Sequence, residues 1–291
     1  MPHTHASDNP ILGIALSTMD GRLLENQKLV KQIAELKAPV VVVNQHARGH
    51  GLADQLGLDA PHVRVMNTPT RGLSKSRNLA LHHLNASWGV LCDDDVLLDL
   101  EGLRELESHL ETLLTQEMLP MVVCQLWHDH RRPWRDYDPT PWRMRGWTAQ
   151  HVLRMQKVNS MELVVPSFQS QINPIHFHEA LGLGSASGVP AGEEGLLLAD
   201  HLRAGGEVAY FPLKLRFHAD DSTGSHMNPQ TALSMGVVHR ATFPSWTHPL
   251  LLLRMVTKTL LGNSGGKRSA WAYCRGFLRS RVILNEHHAP H

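Results

Sequence analysis

The sequence predicts an α/β fold, with a mostly parallel sheet whose first half has the Rossmann-like nucleotide-binding arrangement, followed by a helical C-terminal tail. Three observations predict it. Apolar runs of strand length, Ile11–Ser17 and Val40–Val43, flank a stretch carrying Leu29, Ile33 and Leu36 at helical spacing. A strand–helix–strand unit of this length implies parallel strands and a right-handed crossover. Next, a helix beginning near Gly72 leads to the apolar segment Val90–Cys92, which ends in Asp93, Asp94 and Asp95. Finally, residues 229–281 read as helices, including the apolar stretch Thr247–Leu261 and an arginine-rich one from Trp271 to Arg281.

Size and charge narrow the range of functions. A chain of 291 residues, 42% hydrophobic, suffices for one large domain with an appendage, placed here at 10–228 and 229–285. Its 28 basic and 27 acidic side chains nearly cancel, which argues against nucleic acid as the main partner. Cys92, Cys124 and Cys274 lie far apart, fitting neither a disulfide framework nor a zinc site, and point to a reducing, cytoplasmic location. The polar N-terminus lacks a secretory pattern, and no apolar run reaches the roughly 18 residues needed to span a bilayer. The expectation is a soluble chain, or one resting peripherally on the inner membrane face through its basic C-terminal helices. Histidines near both ends, such as His3 and His288, are assigned no function.

The chemistry-bearing residues follow the strands. Ser74 is the expected N-cap of the helix that follows Gly72, with Leu79, Ala80 and Leu84 on its apolar face. Open α/β sheets hold ligands beyond the carboxyl ends of their strands, and alternate residues there share a side, so Asp93 and Asp95 can converge on one cation. Carboxylates favour magnesium or manganese, ions that usually meet protein through one or two acids plus ligand phosphates. A diphosphate ligand is thereby implied. Arg77 has two readings, a guanidinium bonding phosphate oxygens in parallel or one pairing with the Asp triplet, and Lys75 can assist. The stretch Trp127–Trp147, rich in tryptophan, arginine and proline, reads as irregular, either an acceptor-binding loop or an excursion packed by its aromatics. Glu193 and Glu194 open a helix after Gly192, where the dipole favours ionised acids.

Together, Gly72, Ser74, Arg77 and Asn78, followed by Asp93 and Asp95 and later by Gly192 through Glu194, resemble the family-2 nucleotide-sugar glycosyltransferases of the GT-A fold, over roughly residues 10 to 225. The resemblance implies transfer of a sugar from a UDP- or GDP-type donor to a glycan or other hydroxyl acceptor, with inversion. It implies Mn2+ or Mg2+ held by Asp95 with Asp93 and completed by His218, and a donor contacted by Ser17, Thr18, Ser74, Arg77, Asp93 and Asp94. Glu194 would be the base, with Glu193 as runner-up, and residues 219–224 would close on the diphosphate. Asn44 stands where many members carry aspartate; its amide can still pair with uracil, although the choice of base is left open. Two alternatives stand beside this reading: a nucleotidyltransferase, which should carry a glycine-rich basic loop after the first strand, and a non-catalytic nucleotide- or glycan-binding domain.

Overall fold

In a computed structural model of the chain, the structure describes residues 9–46, 52–56, 60–116, 118–128, 131–148, 151, 157–171, 174–218, 228–261 and 266–285. The first half alternates strand and helix: β1 (Leu12–Met19), α1 (Gln27–Glu35), β2 (Val40–Gln45), α2 (Leu52–Leu56), β3 (Val63–Thr68), α3 (Leu73–His83) and β4 (Trp88–Asp93). β1 pairs in parallel with both β2 and β4, and β2 in parallel with β3. Consecutive residues of β1 and β2, such as Ala15 with Leu16 and Val42 with Val43, are fully buried. Since neighbours on a strand face opposite ways, both faces of the sheet are covered, which explains the continuous apolar runs.

The second half supplies β5 (Val96–Leu98), α4 (Leu100–Glu111), β6 (Met121–Trp127), β7 (Trp142–Arg145), β8 (Leu163–Pro166), α5 (Glu193–Arg203) and β9 (Glu207–His218). The sheet runs β3-β2-β1-β4-β8-β6-β9-β5, and β7 pairs with β9 off that path. β8 lies antiparallel between β4 and β6, while β6 and β9 are parallel. The carboxyl ends of β1, β2, β4, β6 and β9 therefore share one edge. At that edge Arg216 is fully buried and its guanidinium donates to the carbonyls of Met161 and Leu163, tying β9 to the turn before β8. Burial drives its pKa down to about 10.

Three local expectations change. Ser74 does not cap α3; Gly72, at φ 126°, holds the cap position, and Ser74 lies two residues inside, buried. The irregular aromatic stretch contains a real strand, β7, because Trp142–Arg145 finds an open partner in β9. Its aromatics also divide: Trp142 stacks on Tyr210 at 5.2 Å, and the Tyr137 hydroxyl bonds Leu126 backbone. The short helix α2 occupies part of the loop expected over His46–Gly57.

Beyond β9 come α6 (Pro229–Thr242), α7 (His248–Leu261) and α8 (Gly266–Asn285). Asn228 caps α6 by accepting from Thr231 N–H, with Pro229 at the first helical position. α6 and α8 pack closely through glycines: a β-carbon on Gly236 would lie 2.2 Å from Tyr273 O, and one on Gly276 2.2 Å from Leu233 O. Ser280 Oγ donates to Val237 O, and the ring of His239 meets the Tyr273 hydroxyl at 2.8 Å across the same contact. No helix among the described residues is long and apolar enough to cross a membrane.

Gly276→Ala should destabilise the fold. Helix propensity favours alanine by about 1 kcal/mol, but a methyl group driven against a backbone carbonyl forces the helices apart, and overpacking of this kind costs about 1–3 kcal/mol. Urea unfolding should show a lowered midpoint; an unchanged or raised midpoint would mean that the contact yields freely.

Candidate active site

The acidic triplet forms the turn between β4 and β5. It is clamped from α1: Asn26 accepts from Leu29 N–H as an N-cap while its amide donates to Asp94 O at 3.1 Å and Val96 O at 3.0 Å. The three carboxylates then go to three different places. Asp93 faces Arg77. Asp94 is buried, accepting from Thr18 Oγ1 at 2.6 Å and facing Arg22 at 3.3 Å. Burial raises its pKa, opposed by the Thr18 bond and the Arg22 charge. Asp95 is 48% exposed and lies 3.5 Å from His218 Nε2, at the end of β9. Its bond to His218 is the main force holding its pKa below the usual carboxylate range.

Arg77 is enclosed, at 1% exposure. Its Nη1 donates to Glu193 Oε1 at 3.0 Å, and its Nη2 to Ser160 Oγ at 2.8 Å and to Asp93 at 3.3 Å. Burial alone would lower its pKa, yet the charges of Asp93 and Glu193 outweigh it and the net shift is upward. This corrects the expectation of a diphosphate fork: protein carboxylates and a hydroxyl occupy the guanidinium, so the pairing with the triplet is the reading that fits. Asp93 is turned to Arg77 and Asp95 to His218.

The other donor-contact residues are committed in the same way. Ser17 Oγ accepts from Ser76 Oγ, and Ser74 Oγ donates to Leu181 O. Thr18 is bonded to Asp94. The Asn44 amide accepts from Gly21 N–H and donates to Asn67, leaving it 2% exposed and unavailable to a base. All four brace the edge from beneath. Accessible cations lie nearby instead: Arg22 at 50% side-chain exposure, following the tight Asp20–Gly21 turn, and Lys75 beside Glu179. Arg22 could have been suspected from its place just past the first strand.

On the far side of Arg77, Glu193 and Glu194 open α5 after Gly192, at φ 97°. Consecutive helical residues diverge, and here they separate completely. Glu193 is buried at 3%, and desolvation, then the neighbouring charge of Glu194, pushes it up to about 8 against the pull of Arg77. Glu194 accepts from Ser160 N–H at 3.3 Å and lines a cavity of about 450 Å³. Trp134, Asn159, Thr231, Ser234 and His239 also line it. Burial lowers His239 to about 4, so the cavity wall is neutral there. Ser160 links Glu194 to Arg77, yet nothing marks a serine; only the Asn159-to-Glu162 capping box around it was readable.

Among the described residues no group of three or more histidine, cysteine or acidic side chains has the arrangement of a metal site. Asp95 and His218 nonetheless offer one oxygen and one imidazole, a mixed pair that suits manganese better than magnesium, with ligand phosphates filling other positions. Asp93 does not fit. Asp220, Asp221 and the expected closing segment up to Gly224 lie outside the described residues.

The architecture is a mixed α/β sheet flanked by helices. It is similar to that of TarS from S. aureus. The chain overlays the TarS 1-349 complex with UDP-GlcNAc at a TM-score of 0.56 and 10% identity, covering 95% of this chain and 91% of that one. The complex with UDP gives 0.54 and 10%, over 95% and 90%. Against a longer TarS chain the values are 0.53 and 11%, and this chain spans 43% of its length. No protein-family model and no curated protein sequence matches the chain.

Two consequences can be measured. Arg77→Met strands Asp93 and Glu193 without their shared cation, a change worth about 3–5 kcal/mol when a buried pair is broken. A loss below about 1 kcal/mol in chemical denaturation, the range of an exposed pair, would mean that the cluster is solvated. The second is a pH effect. From about pH 4.5 to about 8 the folded state keeps a Glu193 proton that the unfolded chain releases, so this group's contribution to stability falls as pH rises across that window. Glu193→Gln, uncharged throughout, should gain stability relative to wild type between pH 5 and pH 8; parallel profiles would show that Glu193 is ionised when folded.

Proposed function

We propose that this chain is a glycosyltransferase of family-2 type that moves a sugar from a UDP-type donor to the hydroxyl of a glycan or similar acceptor, inverting the anomeric centre. One observation carries the reading: Glu194 is partly exposed on a cavity, and a chain of hydrogen bonds through Ser160 and Arg77 links it to Asp93 of the acidic turn, while Trp134 of the same cavity meets the His218 ring at 5.6 Å. A single displacement needs a base at the acceptor hydroxyl, on the side of the sugar away from the departing diphosphate, and Glu194 is an acid that meets open space near the acidic turn. The fold likeness to TarS, solved with UDP-GlcNAc and with UDP, supports a nucleotide-sugar donor.

In this reading the diphosphate lies along the carboxyl edge of β1 and β4, within reach of Arg22 and Lys75. Asp95 and His218 would hold a divalent ion, which when bound neutralises charge growing on the departing diphosphate. Glu194 takes the acceptor proton, and Trp134 offers a flat apolar wall to the acceptor. Glu193, held toward its neutral form, supports Arg77 instead of competing for that proton. The nucleotidyltransferase alternative is less favoured because only the short Asp20–Gly21–Arg22 turn follows β1.

The test separates donor binding from transfer. A UDP-sugar should raise the melting temperature, more so with manganese, and Asp95→Asn should remove the manganese-dependent part. Glu194→Gln should bind donor like wild type yet transfer about a hundredfold to ten-thousandfold more slowly, the usual worth of a general base. Inactivity of Glu193→Gln with normal activity of Glu194→Gln would exchange their roles, and no shift with any nucleotide sugar would overturn the reading.

A further inference from the structure

The helical segment after β9 separates charge to an extent that the cavity does not explain. Residues 229–285 contain eight lysines and arginines and no aspartate or glutamate, although the whole chain carries a net charge of only +1. The remainder is therefore net acidic, and the cationic surplus is confined to the three C-terminal helices.

α8 displays this surplus in order. Its inner face, with Ser269, Ala272, Tyr273, Gly276, Phe277 and Ser280, is buried. Its outer face exposes large apolar groups: Trp271 at 65% and Leu278 at 78%, with Val282 beyond them. At about 100° per residue, positions 271, 278 and 282 fall within a narrow stripe. Arg268, Arg275 and Arg279 line one side of it, and Lys267 and Arg281 the other; all five are exposed. Arg275 lies 5.5 Å from the Trp271 ring, holding cation and aromatic together at the surface. The neighbouring α7 repeats the mixture, exposing Leu250, Leu253 and Arg254.

We propose that this outer face of α8 docks on an anionic phospholipid bilayer. An apolar stripe with a tryptophan enters the headgroup boundary while flanking arginines reach lipid phosphates, the arrangement of an interfacial helix. A second copy of the same face would oppose arginine with arginine, and a nucleic acid would leave the leucine and valine stripe in water. Because α8 is packed on α6 through Gly236 and Gly276, and Thr231, Ser234 and His239 of α6 line the Glu194 cavity, docking would hold that cavity close to the bilayer. The inference stands independently of the transferase reading.

Flotation of the full chain with vesicles tests it. Binding is expected to vesicles of phosphatidylcholine with about 30% phosphatidylglycerol and not to phosphatidylcholine alone, since the basic side chains are drawn to an anionic surface. It should weaken as salt is raised from about 0.1 M to about 0.5 M. Arg275→Glu with Arg279→Glu should lower partitioning at least about tenfold, and Trp271→Ala with Leu278→Ser should lower it separately, with melting temperatures unchanged because all four side chains are exposed. Absence of vesicle binding, or binding untouched by either pair, would overturn the proposal. So would light scattering that shows a dimer dispersed by Leu278→Ser, or binding to duplex RNA, in a chain that ignores vesicles.

Discussion

The cleft depends on one buried cation. Arg77 reaches Asp93 at the end of β4, Ser160 in the turn before β8, and Glu193 at the start of α5, so three elements distant in sequence meet on one guanidinium. A planar group with fixed donor directions sets angles as well as distances, which an ammonium does not. The desolvation cost of such clusters usually cancels much of their attraction, so Arg77 is better understood as specifying geometry than as adding stability. If β4 moved relative to α5, the guanidinium would lose a carboxylate while still buried. That penalty holds the carboxyl end of β4 and the start of α5 at a set separation.

The same cluster assigns unlike roles to like residues. Glu193 and Glu194 are adjacent and chemically identical, but the first turn of α5 points one inward and the other to the cavity. Desolvation then raises Glu193, while Glu194 stays in contact with solvent and a backbone N–H. The acidic triplet is divided likewise: Asp93 belongs to Arg77, Asp94 to Thr18, and Asp95 to His218. In each set the environment, not the residue type, decides which carboxylate is left accessible.

This division marks the limit of what was legible in the sequence. The first strands, the acidic turn ending β4 and the helix start at Gly192 could be read because each is a local pattern of apolar spacing and turn chemistry. Pairing across the fold could not. Arg77 and Glu193 are 116 positions apart, and nothing local distinguishes an arginine that meets phosphate from one that meets protein acids. Asn44 looked available for a base because its partner, Asn67, lies on the next parallel strand. Ser74 looked like a cap because its hydroxyl suited the position, but Gly72 can adopt the positive φ there and the serine turns to Leu181 instead. β7 was hidden because its alternation, Trp142-Arg143-Met144-Arg145, is only four residues long and sits among prolines and arginines, and β9 supplies the pairing that makes it a strand.

The C-terminal helices extend the same logic outward. α6 presents Thr231, Ser234 and His239 to the cavity on one side and receives α8 through glycine contacts on the other. Glycine at both crossing points brings the two backbones to near contact there, and the His239–Tyr273 and Ser280–Val237 contacts flank those points. α6 therefore lies between two surfaces, with α8 and its arginine-lined outer face packed against it and the Glu194 cavity lined by its Thr231, Ser234 and His239, so that one helix shapes both the tail and the cavity wall.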